Sequence, residues 1–538
     1  SDEAESDFAA LAREYFGAQA GAPEQAAVAM LLHASPQHFY KKGRGRYRKA
    51  PADALKAALA SVERKARDAV RMQSWTSDLL AGRLPDELAQ KREMLLYRPD
   101  KNSVEWKALN AASEAARTSS VALLAACGAI PSTHDYHFDA FRIAAFPSGL
   151  GFPAHPALPA MPALARADGA AFSIDDATTT EIDDAFSVAE LANGHYEIGI
   201  HIAAPALAIT PGSALDAIAR ARLSTVYMPG RKITMLPDEV IEAFTLAAGA
   251  ERAALSLYVE SDADGTPLAH RTAVNRVPVV ENLRLDAIDE AFAQPHVAGE
   301  APRTTQMRSL WNLVQKLSAA RGRPGVDRVD YSFYVDWQQP DGHVRIAPRP
   351  RGSPLDKLVS ELMIHVNNTW GRLLADARIA GLYRVQSGGK VKMSVHPGEH
   401  QGLGLSHYLW SSSPLRRYSD LINQQQLLAA IGGERPPYAD NDAALFAALA
   451  DFEATYSQYA EFQDRMEHYW CLRWLLQENV VETTAVVVRD NLVRFDRLPL
   501  WTRLSDLPTL SADTPIRVGI GRIDLLASTL ECRFLGTA

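Results

Sequence analysis

The sequence has little cysteine, no long apolar run and no excess of positive charge, and each shortage removes a class of protein. Cys127, Cys471 and Cys532 are the only cysteines among 538 residues. They are far apart, odd in number and in no zinc spacing, so neither a disulfide framework nor a zinc site is expected, and a reducing cytoplasm is the expected location. No apolar stretch approaches the roughly 20 residues that span a bilayer, so no membrane partner is expected. The first residues, Ser-Asp-Glu-Ala-Glu-Ser-Asp, are acidic where a secretory signal would be basic and then apolar. They also lack a methionine, so the expectation is a start inside a longer natural chain. A net charge of −8 argues against a surface coated in cations for duplex DNA. It leaves room for an internal basic channel, because local potential matters more than the total.

What is present is a chain too long for one core and apolar enough, at 47%, to bury several; roughly two to four domains are expected. Its most unusual stretch is 171–188, Ala-Phe-Ser-Ile-Asp-Asp-Ala-Thr-Thr-Thr-Glu-Ile-Asp-Asp-Ala-Phe-Ser-Val. Asp175, Asp176, Glu181, Asp183 and Asp184 crowd together with no Lys or Arg among them. Phe172, Ile174, Ile182, Phe186 and Val188 flank them, a pattern that predicts a strand, a turn through Ala177 to Thr180 and a second buried strand. Two carboxylates about 4 Å apart repel by about 4 kcal/mol at an effective dielectric near 20. Acids at the mouth of a core therefore need a cation or must bind protons. An all-oxygen set favours Mg²⁺, with Mn²⁺ as the alternative, over zinc. Glu181 and Asp183 would face one way along a regular strand and Asp184 the other, so a shared metal requires a bulge or a strand end. A Ca²⁺ loop fits poorly, since Thr180 and Phe186 stand where Gly and Glu belong. An acidic surface turn stays open.

The spacing of Ile174-Asp175 and Glu181-Ile182-Asp183-Asp184-Ala185 resembles the signature of the RNB family, exoribonucleases of the ribonuclease II and ribonuclease R type. Glu181 stands where the family usually has Asp. Further segments are similar to the family's in the right order. His201-Ile202-Ala203 matches a Val-His-Ile-Ala-Asp strand, with Ala204 for the final Asp. Tyr227-Met228-Pro229-Gly230 before Met235-Leu236-Pro237 matches Tyr-Leu-Pro-Gly before Met-Leu-Pro. The resemblance gives Tyr227 a contact with the 3′-terminal nucleotide; the residues alone would place it in a core. A helix Glu281 to Asp286 carries Leu285 where ribonuclease II has a ribose-reading tyrosine. An amphipathic helix over 354–370 holds Glu361 and Asn367 at matching positions, implying a contact of Glu361 with substrate sugar or a metal-bound water.

The second strong match is Ser413-Pro414-Leu415-Arg416-Arg417-Tyr418-Ser419-Asp420-Leu421, preceded by Gly402-Leu403-Gly404-Leu405 and Tyr408. Ser413 as N-cap and Pro414 at the first position predict a helix from Leu415 with Arg416 in its first turn. A cation is disfavoured there unless an anion such as phosphate binds. The resemblance makes Arg416 the phosphate-stabilising arginine and Arg417 its RNA-contacting neighbour. In a long helix over 445–478, Gln463 occupies the family's usual glutamate position, with Glu461 and Glu467 out of register.

The fold class expected is α+β and multidomain. Residues 1–130 read as helical, in a helix-turn-helix or winged-helix arrangement, and 131–164 as a Pro/Gly-rich linker. A central mixed α/β RNB catalytic domain follows over 165–478. Alternating β-branched residues over 479–538 predict an S1-like OB β-barrel. The run Lys41-Lys42-Gly43-Arg44-Gly45-Arg46 interleaves cations with glycines beside Phe39, Tyr40 and Tyr47. It reads as an RNA-binding segment or as a solvated loop between helices. What the resemblance implies is a monomeric, Mg²⁺-dependent enzyme that hydrolyses single-stranded RNA from the 3′ end to nucleoside 5′-monophosphates. Asp175, Glu181, Asp183 and Asp184 would hold two metals or their waters, and Asp183 and Arg416 would act in catalysis. The alternative is a catalytically weakened RNB scaffold that binds RNA without cutting it.

Overall fold

The computed structural model describes residues 5–176, 179–293, 301–323, 328–339 and 341–538. Part of the turn expected at Ala177 to Thr180 lies outside the described residues. The chain divides into two compact units, Ser1–Tyr136 and His137–Ala538.

The first unit is not helical throughout. The strand Glu5–Asp7 and the helices Phe8–Phe16 and Ala22–Ala34 are followed by a hairpin, Phe39–Gly43 with Arg46–Lys49, and the three strands form one antiparallel sheet. The basic run is thus a β-hairpin rather than a loop between helices. Its two-residue turn has Arg44 at φ 49° and Gly45 at φ 76°, the left-handed pair that matches strand twist. The phenyl ring of Phe8 packs against Gly45, where a Cβ would come within 2.7 Å of it. Lys41, Lys42, Arg44 and Arg46 are all exposed on this hairpin. The helices Ala52–Leu80 and Val104–Ala116 then pack around Trp75, Leu79, Leu88, Leu95 and Leu109.

The expected linker, most of which falls in the second unit, contains a helix. Prolines at 131 and 147 bracket the segment Thr133–Ala145, in which Phe138 and Phe141 recur at helical spacing. Phe141 stacks on Phe462 of the long helix Ala443–Gln477 at 3.7 Å between ring centroids. Only residues 152–165 keep the irregular backbone that their prolines predict.

The centre of this unit is a closed five-stranded barrel in the order Pro267–Arg284, Ala171–Asp175, Asp184–Glu190, Tyr196–Ala203, Ala250–Ser261. The first pair is parallel and the others antiparallel. Phe172, Phe186, Ile198, Ile200, Ile202, Leu255 and Leu257 join Leu358, Leu362 and Trp370 of the helix Pro354–Asp376 in one core. Most of these side chains are wholly removed from water, each worth roughly 1.5–3 kcal/mol against exposure. The strand Tyr196–Ala203 was legible from its alternation. His201 is a satisfied core histidine: its ring nitrogens lie 2.8 Å from Ser256 Oγ and 2.9 Å from Ser187 Oγ. Burial holds its pKa down to about 3.

Three expectations change in detail. The stretch Glu281 to Arg284 is strand, paired in parallel with Ala171–Asp175, and helix begins only at Leu285. The helix after the Ser-Pro-Leu-Arg segment begins at Tyr418, not Leu415. Arg417 is extended and bridges to Ser224, and the Leu415 N–H goes to Asp183, so tertiary contacts replace the first helical turn. The C-terminal strands, from Glu482 to Thr537, form a five-stranded antiparallel sheet that is open among the described residues rather than a closed barrel. No described helix is long and apolar enough to cross a membrane.

Candidate active site

The acidic stretch ends up where two barrel strands stop. Asp175 closes the strand Ala171–Asp175 and Asp184 opens the strand Asp184–Glu190. This is the strand end that a shared site requires. The loop between is pinned by Ile182, whose N–H donates to Thr245 Oγ1 at 2.9 Å and whose carbonyl accepts from Leu246 N at 3.0 Å. Arg284 reaches across to the Asp176 carbonyl at 2.8 Å.

Asp175, Asp176, Glu181, Asp183 and Asp184 all line one cavity of about 1020 Å³, together with Tyr227, Lys232, Leu285, Arg349, Arg351 and Arg416. The Ser-Pro-Leu-Arg turn closes one side. Leu415 N donates to Asp183 Oδ1 at 3.0 Å and Arg416 Nε to Asp183 Oδ2 at 2.8 Å, while Arg416 Nη2 donates to Ser413 Oγ at 2.9 Å. The turn itself is held by the Asn367 side chain. Its Oδ1 accepts from Ser411 N and Ser411 Oγ, and its Nδ2 donates to Ser412 Oγ.

Electrostatics follow from burial. Desolvation raises the Asp183 pKa to about 6, against the pull of Arg416 and the Leu415 N–H. It raises Asp184 well above the ordinary value, and Asp175 and Asp183 push it further. Asp175 is raised by burial too, although Ser173 Oγ donates to its Oδ2 at 2.5 Å. Burial works against the charge of Arg416, but Asp183 outweighs it and the guanidinium is held more firmly protonated than usual. The Tyr227 phenol is raised by burial and by Glu181.

The expected metal ligands are therefore not equivalent. Glu181 is fully engaged by protein donors: Thr225 Oγ1 at 3.2 Å on Oε1, and Tyr227 OH and Lys232 Nζ, each at 3.1 Å, on Oε2. Asp183 has both oxygens engaged by Arg416 and Leu415. Asp175 keeps Oδ1 open, and Asp184 accepts no hydrogen bond from a described side chain. Among the described residues no group of three or more His, Cys, Asp or Glu side chains forms a ready metal cage. Even so, Asp175 and Asp184 fit a hard cation in their chemistry. They are half-buried, all-oxygen and mutually repelling, so each gains by sharing a positive charge.

Other expected site residues lie elsewhere. Arg417 is clamped on Asp420 through two bonds of 2.9 and 2.7 Å and lies 4.5 Å over the Trp410 ring. It anchors the helix Tyr418–Gly432 and does not line the cavity. Glu361 is buried and ion-paired with Arg321, whose Nη1 also donates to the Leu403 carbonyl. It lines two smaller clefts and not the acidic cavity. Lys41, Lys42, Arg44 and Arg46 belong to the first unit.

Sequence reasoning missed Lys232, Arg349 and Arg351. Arg345, Arg349 and Arg351 fall on alternate positions of the strand His343–Arg351, a period-two signal obscured by Pro348 and Pro350. Arg349 pairs with Asp176 at 2.5 Å, and Arg351 with Asp330 at 2.7 Å and Asp356 at 3.0 Å. Both arginines also line a second cavity of about 900 Å³ with Asp176, Glu467, Arg494 and Trp501. Glu467, rather than Gln463, is the acid that its helix presents there, and burial followed by Asp464 and Asp330 raises its pKa to about 7.

A closed barrel whose strand ends gather carboxylates beside an arginine-bearing turn defines a class of protein built around an acidic pocket. The RNB domain profile matches residues 166–394 and 389–433, which contain both the acids and that turn, and the chain belongs to the RNB family. It is 27% identical over 334 residues to an uncharacterised ribonuclease of Synechocystis sp., covering 56% of this chain and 48% of that protein. It is 28% identical over 337 residues to exoribonuclease 2 of Aeromonas hydrophila, covering 51% and 49%. The chain spans about half the length of the curated relatives it matches. Among solved structures, the fold resembles the Dss1 exoribonuclease of Candida glabrata, with a TM-score of 0.71 and 16% identity over 99% of this chain and 82% of that one. It also resembles Mycoplasma genitalium RNase R in complex with ribose-methylated single-stranded RNA, with a TM-score of 0.62 and 14% identity over 75% and 78%. Yeast Ssd1, a pseudonuclease, shares the fold at a TM-score of 0.56, with 16% identity over 69% of this chain and 55% of that one.

Proposed function

We propose that the chain is a divalent-metal-dependent hydrolase that degrades single-stranded RNA from its 3′ end and releases nucleoside 5′-monophosphates. The observation that carries this reading is the Asp183–Arg416 junction in the same cavity as Asp175 and Asp184. A guanidinium fixed at 2.8 Å from one carboxylate and facing others is oriented before substrate arrives. Preorganised charge of this kind stabilises the extra negative charge of a pentavalent phosphate.

Mg²⁺, or Mn²⁺, would be held by Asp175 and Asp184, and when bound it supplies Lewis acidity toward phosphate and water. Arg416 binds the scissile phosphate through the guanidinium edge that Asp183 and Ser413 leave open. Asp183 holds that guanidinium in place and keeps it charged. Tyr227, 37% exposed at the cavity wall, stacks on the terminal base. Leu285 lines the cavity without a hydroxyl or amide, so it offers the ribose 2′-OH no hydrogen bond. Arg349, Arg351 and Arg494, with Trp501, supply phosphate and base contacts along the second cavity, as expected of a path for a single strand. The exposed cations of the first unit's hairpin, read as the wing of a winged helix, and the C-terminal sheet, read as S1-like, give further RNA contact. The enzyme is taken to act as a cytoplasmic monomer.

The competing reading, an RNA-binding scaffold, draws on Glu181, whose oxygens are all engaged. The test is 5′-labelled single-stranded RNA with Mg²⁺, beside Asp183→Asn and an EDTA control. A descending ladder lost in both controls supports hydrolysis from the 3′ end. RNA that is bound but intact, in Mn²⁺ as well, supports the scaffold.

A further inference from the structure

The carboxylate count in the cavity would allow two metal ions, yet the structure gives one half of that count a resident partner. The hairpin Val226–Met228 with Arg231–Ile233 pairs Tyr227 directly with Lys232. Directly opposed residues on antiparallel strands point to the same face. Here that face carries a phenol and an ammonium, and both meet the same atom, Glu181 Oε2, at 3.1 Å. Lys232 Nζ also donates to Thr180 Oγ1 at 2.5 Å. The other oxygen, Oε1, accepts from Thr225 Oγ1, which itself accepts from Met235 N at 3.0 Å. Glu181 is thus tied to both ends of the hairpin. Its carboxylate is nearly inaccessible, at 2% of its side-chain surface, whereas Lys232 keeps 33%. Gly230, at φ 74°, makes the hairpin turn, and Val335 lies only 2.7 Å from where a Cβ would stand, so the hairpin has little room to swing Lys232 away.

We infer that Lys232 takes the place of one of the two metal ions, so that the chain binds a single divalent cation, at Asp175 and Asp184. The Lys232 ammonium supplies the second positive charge as a fixed part of the protein. The inference rests on the hydrolase reading above and narrows it. The extra methylene of Glu181, a departure from the aspartate usual in the family, is then what lets the carboxylate reach the hairpin.

The test is the number of Mn²⁺ ions bound by the full, EDTA-stripped chain, counted by the loss of the free-ion electron paramagnetic resonance signal. It is run beside the RNA ladder assay. The expected result is one ion for the wild-type protein, one ion at unchanged affinity for Glu181→Gln, and a second, weaker ion for Lys232→Met, in which Glu181 loses its partner. Lys232→Arg, which keeps the charge, should stay at one. Two ions in the wild type, or loss of the ion in Glu181→Gln, would overturn the inference while leaving the hydrolase reading intact. One ion in Lys232→Met would show that the ammonium excludes nothing and would overturn it too. No bound ion together with uncut RNA would overturn both readings.

Discussion

With divalent cations removed, the Asp183→Asn variant should gain stability relative to the wild-type protein as the pH rises. Burial lifts the Asp183 pKa from 3.8 to about 6 in the folded state, even with Arg416 beside it. Between those values the folded protein still holds a proton that the unfolded chain has released. The folded state then binds more protons, so stability falls as pH increases through this window. The whole interval is worth about 3 kcal/mol, of which about 2 kcal/mol lies between about pH 4.5 and 7.5. Asparagine does not titrate, so this loss is absent from the variant. Removing the Asp183 charge also relieves Asp184, which it repels, and that acts in the same direction. The gap can be followed by pulse proteolysis of the full chain in urea and EDTA, scoring fragments from the barrel strands. A gap that stays constant or moves the other way would refute the account of Asp183 as a carboxylate pressed toward protonation. Adding Mg²⁺ should flatten the gap, because a bound cation favours the ionised acids.

Arg416→Gln should lower kcat by about 10²–10³-fold with single-stranded RNA affinity largely kept; single-turnover rates and a binding isotherm separate the two, and a loss under tenfold would argue against transition-state charge stabilisation. Tyr227→Ala should weaken single-stranded RNA binding by about 1–3 kcal/mol through lost stacking, whereas Tyr227→Phe, which removes only the bond to Glu181, should bind nearly normally. Similar losses in both would place the function in the hydroxyl. His201→Ala should destabilise the barrel by about 2–4 kcal/mol, with RNA cleavage intact in whatever remains folded. Because the folded pKa of His201 is depressed to about 3, its contribution to stability is present above the ordinary histidine range and is lost as pH falls below it. A denaturation midpoint for His201→Ala that tracks the wild-type pH profile would contradict this.

The parts of the site that could be read in the sequence are those whose chemistry is local. The five acids and the Ser-Pro-Leu-Arg turn are each contiguous, and apolar neighbours such as Phe172 and Phe186 announce the strands that carry the acids. Alternation in Tyr196–Ala203 and helical spacing in Pro354–Asp376 were legible for the same reason. What the sequence does not announce is which side-chain and backbone partners each group takes, whether near or far along the chain. Glu361 and Arg417 are polar residues in matching motifs, but Arg321 and Asp420 claim them, and spacing does not say which ion pair forms. The helix after Arg416 starts late because Asp183, 232 residues earlier, takes the Leu415 N–H. The basic hairpin was hidden because its turn needs a positive φ at Arg44, a non-glycine residue. The helix Thr133–Ala145 was hidden by the prolines on either side of it.

The bond between Asp183 and Arg416 spans 233 residues of sequence, so the two halves of this junction are synthesised far apart in time. A ribosome-bound chain that has displayed its acidic loop and closed its barrel still lacks the arginine. A contact at such a sequence separation forms late, because its loop-closure entropy is lost before the contact rewards it. On the hydrolase reading proposed above, the nascent chain is therefore assembled without its phosphate-binding charge until translation has passed the turn at Arg416. Fragments ending before that turn would carry the metal-seeking half of the site and none of the half that recognises the transition state.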